Sequence, residues 1–153
     1  RIPPRMEIRR DAPIELPHIM LLVNDSEKSL VEKTGELAKK NNSLYDTDLM
    51  MNSGHITGWQ VEKTELENVL SSLEQIAKKQ TQKDGSVFMF AVGDGNHSLA
   101  TAKAIWDELK TKNGGTKNPD GTISIPKGME NHNARFALIE IVNKYFLDTS
   151  KAK

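Results

Sequence analysis

Val87–Trp106, VFMFAVGDGNHSLATAKAIW, is the stretch from which the rest of the chain can be ordered. The apolar run Val87–Val92 predicts a buried strand. It stops at Gly93-Asp94-Gly95-Asn96-His97-Ser98, and an Ala-rich helix-forming run, Ser98–Lys112, follows at once. Leu99, Ala102, Ile105, Trp106 and Leu109 fall on one face of that helix. A strand, a tight turn and a helix in this order leave unbonded backbone N–H groups at a helix N-terminus, where an oxyanion is held well. On this reading the amides of Asn96–Leu99 face a ligand. His97 adds a donor or a positive charge and Ser98 a hydroxyl. Gly93 and Gly95 let the ligand approach the backbone, and Asp94 stands beside it. The plain alternative is an ordinary helix start, with Asn96 or Ser98 as N-cap and glycines that merely permit the turn.

Outward from this junction, Leu16–Val23 (LPHIMLLV) is a nearly continuous apolar run and predicts a central strand. Met6–Asp11 reads as a short strand. Asn24-Asp25-Ser26 predicts a turn and N-cap, and Ser26–Lys40 an amphipathic helix interrupted by Gly35. Leu44–Met51 and His55–Val61 predict the two strands of a hairpin about Asn52-Ser53-Gly54. Thr64 and Glu67 fit a capping box, ahead of a helical stripe of Leu66, Val69, Leu70, Leu73, Ile76 and Ala77. Asn113–Glu130 (residues 113–130), rich in Gly, Asn and Pro, reads as a surface insertion with a small hairpin at Asp120-Gly121. Arg135–Tyr145 alternates and predicts the last strand. Strands and helices mix without strict alternation, so the expected class is α+β: a mixed sheet with helices packed on it.

The chain has 153 residues, 37% hydrophobic and 27% charged, a length that suits one domain with a real core. Lys+Arg and Asp+Glu both total 21, and the zero net charge argues against coating nucleic acid or anionic membrane by bulk electrostatics. There is no Cys, which excludes disulfides, thiolate catalysis and Cys-ligated metal and suits a reducing cytoplasm. No apolar run is long enough for a transmembrane helix, and Arg1-Ile2-Pro3-Pro4-Arg5 is not a signal peptide. The missing initial Met and the abrupt end at Ser150–Lys153 lead to the expectation that residues 1–153 are one domain-sized piece of a longer protein. An apolar edge, covered by a homodimer or by the remainder of that protein, is expected with it.

A second polar cluster, Asn131-His132-Asn133-Ala134-Arg135, precedes the last strand. From there His132 and Arg135 would face Asp94 and His97, with Arg135 as a fork for phosphate or carboxylate. A solvated loop is the commoner fate of such residues. His18 within an apolar strand reads as a hydrogen-bonded core residue, and His55 lies at the hairpin turn. The four histidines never approach metal spacing, so no metal site is expected. Asp46-Thr47-Asp48 lacks the Gly and distal Glu of a calcium loop and reads as the polar face of a strand. Walker A and dinucleotide-binding patterns are absent.

GDGNHSLATAKA followed by HNARFALIEIVN resembles the bacterial domain-of-unknown-function family 1015, whose members carry a DGHHR or DGNHS turn and later an HPARYALVELVN-like strand. ELPHIMLLVND and LYDTDLMMNSGHITGW extend the resemblance to about Met6–Asp148. Asn96 and Ser98 replace the first His and the Arg of the DGHHR form, removing a phosphate-binding charge, and Asn133 stands where Pro is usual. The family is more distantly similar to the ParB/sulfiredoxin superfamily, in which free-serine kinases carry a similar turn against nucleotide phosphate. The resemblance implies a ParB/sulfiredoxin-like core and a nucleotide- or phosphate-binding protein of the bacterial cytoplasm. The resemblance does not by itself give a reaction; the most concrete expectation for such a site is phosphoryl transfer to a small metabolite, with ATP or another nucleotide and Mg as cofactor and Asp94 and His97 as catalytic groups. Gly93, Gly95, Asn96, His97, Ser98, His132 and Arg135 would bind the phosphate. The rival expectation is a non-catalytic module whose bound anion or nucleotide regulates a partner.

Overall fold

A computed structural model describes residues 1–146. The chain end at Ser150–Lys153 lies outside the described residues. Four helices, α1 (Ile2–Arg10), α2 (Val31–Ala38), α3 (Lys63–Lys79) and α4 (Asn96–Lys112), alternate irregularly with five strands. The strands are β1 (Ile19–Val23), β2 (Tyr45–Asp48), β3 (His55–Gly58), β4 (Phe90–Asp94) and β5 (Ile139–Asn143). A three-stranded sheet has the order β4-β1-β5, so LPHIMLLV does supply the central strand, and β2 and β3 form a separate ribbon. The class is α+β, as the irregular alternation implies.

Two compact units, each discontinuous in sequence, divide the chain: Arg1–Leu21 with Val92–Glu140, and Leu22–Ala91 with the chain from Ile141. In the first, Ile19, Thr101 and Ile105 are buried. The α1 helix packs along α4 in this unit. Met6–Asp11 therefore belongs to a helix and not to a strand. Pro3 and Pro4 sit in its first turn, where their missing N–H groups cost nothing, and Arg9 and Arg10 occupy its last turn, favourable to the helix dipole. The 113–130 segment turns back at Asn118–Gly121, with a bridge between Lys117 and Ile123. Buried Lys110 anchors it to α4, its Nζ donating to the Ile123 carbonyl at 2.9 Å.

The second unit is built around Val23, Leu30 and Ile76, flanked by Val31, Val69, Leu73, Met89, Phe90 and Ile141. Buried Asp25 accepts from the Leu30 amide at 2.9 Å and the Ser29 hydroxyl at 3.2 Å, so α2 begins only at Val31, later than the sequence pattern predicts. Buried Asn143 donates to the Asp25 carbonyl at 2.8 Å and to the Glu32 carboxylate at 3.0 Å, which satisfies polar groups beside an apolar core. The capping box of α3 is Glu62 and Glu65, two residues earlier than Thr64 and Glu67, with the Glu62 amide donating to Glu65 at 2.8 Å. In the ribbon, β2 and β3 pair antiparallel with Asp48 opposite His55 and Asp46 opposite Thr57. The Tyr45 ring lies over Gly58, so a Cβ there would displace the end of that exposed side chain.

Candidate functional site

The order strand, turn, helix is formed at β4 and α4 as the sequence predicts, but the strand is not the buried one expected from Val87–Val92: it lies at the edge of the three-stranded sheet and is largely exposed, and the capping differs. Gly95 is the N-cap, in the left-handed conformation at φ 89°, and neither Asn96 nor Ser98 caps the helix. A Cβ on Gly95 would lie 3.0 Å from the Ile19 Cα and 3.1 Å from the His18 carbonyl oxygen. Backbone conformation and the adjoining central strand therefore both select glycine here. The Asp94 carboxylate accepts the Gly95 amide at 2.7 Å and closes the turn.

Beyond Gly95, the first intrahelical bond runs from the Leu99 amide to the Gly95 carbonyl at 2.9 Å. Leu99 is thus spent on the helix and drops out of the predicted set of amides. No side chain among the described residues caps Asn96, His97 or Ser98, and the first turn holds no acidic residue. Asp94, Asn96 and His97 are exposed, whereas Gly95 and Ser98 are half-buried. The Thr101 hydroxyl, buried, donates to the His97 carbonyl at 2.7 Å and braces the turn from within. The result is three N–H groups with no hydrogen-bond partner among the described residues, at the positive end of a seventeen-residue helix.

Arg9 is the member of this site that sequence reasoning missed. From the last turn of α1, its Nη1 donates to the Ser98 carbonyl at 2.8 Å and to the Ser98 hydroxyl at 3.2 Å. Its other nitrogens pair with Glu15, Nη2 lying 2.6 Å from Oε2. The side chain is only 12% exposed, so the fork is held in place on both sides. The partner lies 89 positions away, and no local pattern signals the pairing.

His132 and Arg135, in the same unit, bond to groups other than those of the turn. His132 caps the short 3-10 turn Asn133–Arg135, its Nδ1 accepting the Ala134 amide at 3.1 Å. Its ring stacks on Trp106 at 5.9 Å between centroids and 22° between planes. Trp106 is nine residues beyond His97 on α4, which is about 13 Å along the axis at helical rise. Arg135 donates to the Glu130 carbonyl at 2.5 Å and lies over the Phe136 ring. Among the described residues, neither shares a hydrogen bond or ion pair with Asp94 or His97. What the fold assembles at the turn is Gly93–Ser98 with Arg9.

A different cluster forms on the ribbon of the other unit. The His55 ring is clamped on both nitrogens, with Nδ1 2.7 Å from Asp48 and Nε2 2.5 Å from Asp46. Asp46 also accepts the Thr57 hydroxyl at 2.8 Å. Hydrogen bonding to Asp48 first, then to Asp46, raises the His55 pKa above its ordinary value. The bonds from His55 and Thr57 hold the Asp46 carboxyl below its own. With both nitrogens engaged the imidazole has no lone pair free for a metal, and no metal-binding group of three such side chains occurs among the described residues. His18 is not a core residue: it is exposed, with Nε2 2.9 Å from Glu140.

Strand, left-handed glycine and uncapped helix define the class: an α+β protein in which an exposed edge strand turns at Gly95 into a long helix. Comparison of the sequence with protein families gives the particular assignment. Residues 1–148 match the family described as protein of unknown function DUF1015, and the chain belongs to it. Neither a curated protein nor a solved structure matches the chain. No helix among the described residues is long and apolar enough to cross a membrane.

Proposed function

We propose that the turn Gly93–Ser98 binds the phosphate of a small molecule, a phosphorylated metabolite or a nucleotide. The observation that carries this reading is the uncapped start of α4. The amides of Asn96, His97 and Ser98 are left without a side-chain partner, next to a glycine that no other residue can replace without strain. Native helices usually satisfy such donors, and an oxyanion does so while meeting the positive end of the dipole. His97 is exposed at the mouth and supplies a further donor. Arg9 fixes Ser98 and adds positive potential, partly offset by Glu15. A ParB/sulfiredoxin-like core would place this turn in the same role, and we include that kinship in the proposal.

Phosphoryl transfer to a hydroxyl is the reaction such a turn would serve, because it depends mainly on positioning and charge stabilisation. Asp94 would orient the acceptor hydroxyl. One of its oxygens already holds the Gly95 amide, and this specific bond favours a second reading, in which Asp94 only shapes the turn and the protein is a non-catalytic binding module. Calorimetric titration with phosphate, ATP and other nucleotides, followed by a turnover assay with small hydroxy compounds, separates the two. Phosphate binding without turnover selects the module, and turnover lost in Asp94→Asn selects the enzyme. No binding of any phosphate by the folded protein removes both.

A further inference from the structure

In the first unit, α1, the segment from Ala12 to Pro17 and the start of α4 flank an open cleft of about 360 Å³ whose lining includes Ser98, the last residue of the proposed phosphate turn. Its volume lies within the range of small-molecule sites, about 300–1,000 Å³. Ile8, Ile14 and Pro17 wall it, with Arg5 and Arg9 among its lining residues. Ile8 is 81% exposed and Ile14 72% exposed, so an aliphatic surface faces open space immediately beside an anion-receptive turn. Arg5 makes no ion pair among the described residues, whereas Arg9 is paired with Glu15. The cleft thus adds one uncompensated positive charge to an aliphatic wall. No aromatic side chain lines it, so a nucleobase would find no stacking partner there, while an alkyl body gains from every methylene it buries.

We infer that the cleft takes the aliphatic body of a phosphorylated small molecule whose phosphate sits on the Asn96–Ser98 amides, and that alkyl phosphates are therefore the preferred ligand class. This rests on the phosphate reading above. It chooses, within that reading, an aliphatic phosphoester over a nucleotide. Arg5 provides a counter-charge near the ester and Ser98 joins the two halves of the site.

The test is calorimetric titration of the folded chain with inorganic phosphate, n-butyl phosphate and adenosine monophosphate, repeated on Ile14→Asn and Ile8→Asn. Both positions are exposed, so the variants should melt with the parent, and a melting curve checks this. Butyl phosphate is expected to bind at least about tenfold more tightly than inorganic phosphate, since a few buried methylenes suffice for that ratio. Either variant should lose most of this advantage while binding inorganic phosphate as before. Equal affinity for butyl and inorganic phosphate overturns the cleft assignment and leaves the phosphate turn standing. A preference for adenosine monophosphate overturns the aliphatic assignment. An alkyl advantage that survives both substitutions shows that the body lies elsewhere and also overturns it. Absence of binding by all three overturns the underlying phosphate reading.

Discussion

Arg9 donates to both the carbonyl and the hydroxyl oxygen of Ser98, at 2.8 and 3.2 Å, and so ties the end of α1 to the start of α4. The guanidinium is largely buried, and each of its nitrogens is hydrogen-bonded, with Glu15 on its other edge. Replacing it by Ala removes these bonds and leaves Glu15 without its partner. Arg9→Ala is therefore expected to lose about 1.5–3 kcal/mol of stability, the range for hydrogen bonds to a charged group. Arg9→Lys should recover only part of this, because a single ammonium cannot serve both edges. Urea unfolding of the three proteins gives the measurement. A loss below about 0.5 kcal/mol, the lower end for even a neutral hydrogen bond, would contradict the anchoring role.

Gly95→Ala should be costly in a different way. The backbone at φ 89° is strained for any L-residue, and the new Cβ meets the backbone of Ile19 and His18. A destabilisation of about 1–3 kcal/mol is expected from the backbone conformation alone. By contrast Gly35 has a conventional conformation and open space around its Cα, so Gly35→Ala inside α2 should stabilise the protein by about 0.4–1 kcal/mol. Thermal melting of the pair tests both directions at once, and equal effects would refute the conformational argument.

The ribbon should respond to pH around His55. Its pKa is raised by Asp48 and Asp46, so this contribution is fully present below the ordinary imidazole value of 6.5 and is lost as pH rises through the folded value. The Asp46 pKa is lowered, so that contribution is present above the ordinary carboxylate value of 3.8 and is lost as pH falls through the folded value. The β2–β3 pairing is expected to be tightest between these limits. Amide exchange at Ile56, which lies in a hydrogen-bonded pair with Thr47, across pH 4 to 9 and corrected for intrinsic rates, reads it. His55→Gln should flatten the alkaline limb, and an unchanged profile in that variant would show that the clamp does not stabilise the ribbon.

His132 should behave as a structural residue. It caps a 3-10 turn and stacks on Trp106, about 13 Å along α4 from His97 in the proposed phosphate turn. His132→Ala is expected to cost about 0.5–1.5 kcal/mol of stability, the typical worth of an aromatic pair, and to leave phosphate affinity unchanged. Weakened phosphate binding at unchanged stability would instead restore His132 to the site.

Some of this was readable in the residues and some was not, for identifiable reasons. The order strand, turn, helix in Val87–Trp106 is local chemistry, an apolar run followed by an Ala-rich one, and it survives in β4 and α4. The strand starts later than the run, because Val87 bridges to Thr81 and the Phe88 amide bonds the Gln80 carbonyl in closing the loop after α3. In α1, Met6 and Ile8 alternate like a strand, and the helical signals were the flanking prolines and arginines. Gly95 was legible as permissive, but its contact with Ile19 depends on the neighbouring strand. Arg9, His132 and the Asp46–His55–Asp48 clamp all acquire partners through tertiary packing or strand register, which spacing along the chain does not encode.

The central claim, that the uncapped start of α4 receives phosphate, is tested most directly by amide chemical shifts during titration with inorganic phosphate at neutral pH. The account predicts saturable shifts at Asn96, His97 and Ser98, with Leu99 much less affected because its N–H already serves Gly95. In His97→Ala the same shifts should need roughly 10–100-fold more phosphate, the equivalent of about 1.5–3 kcal/mol, with the melting temperature unchanged. Shifts spread over the surface without saturation, or a His97→Ala protein that melts far lower yet titrates like the parent, would contradict it.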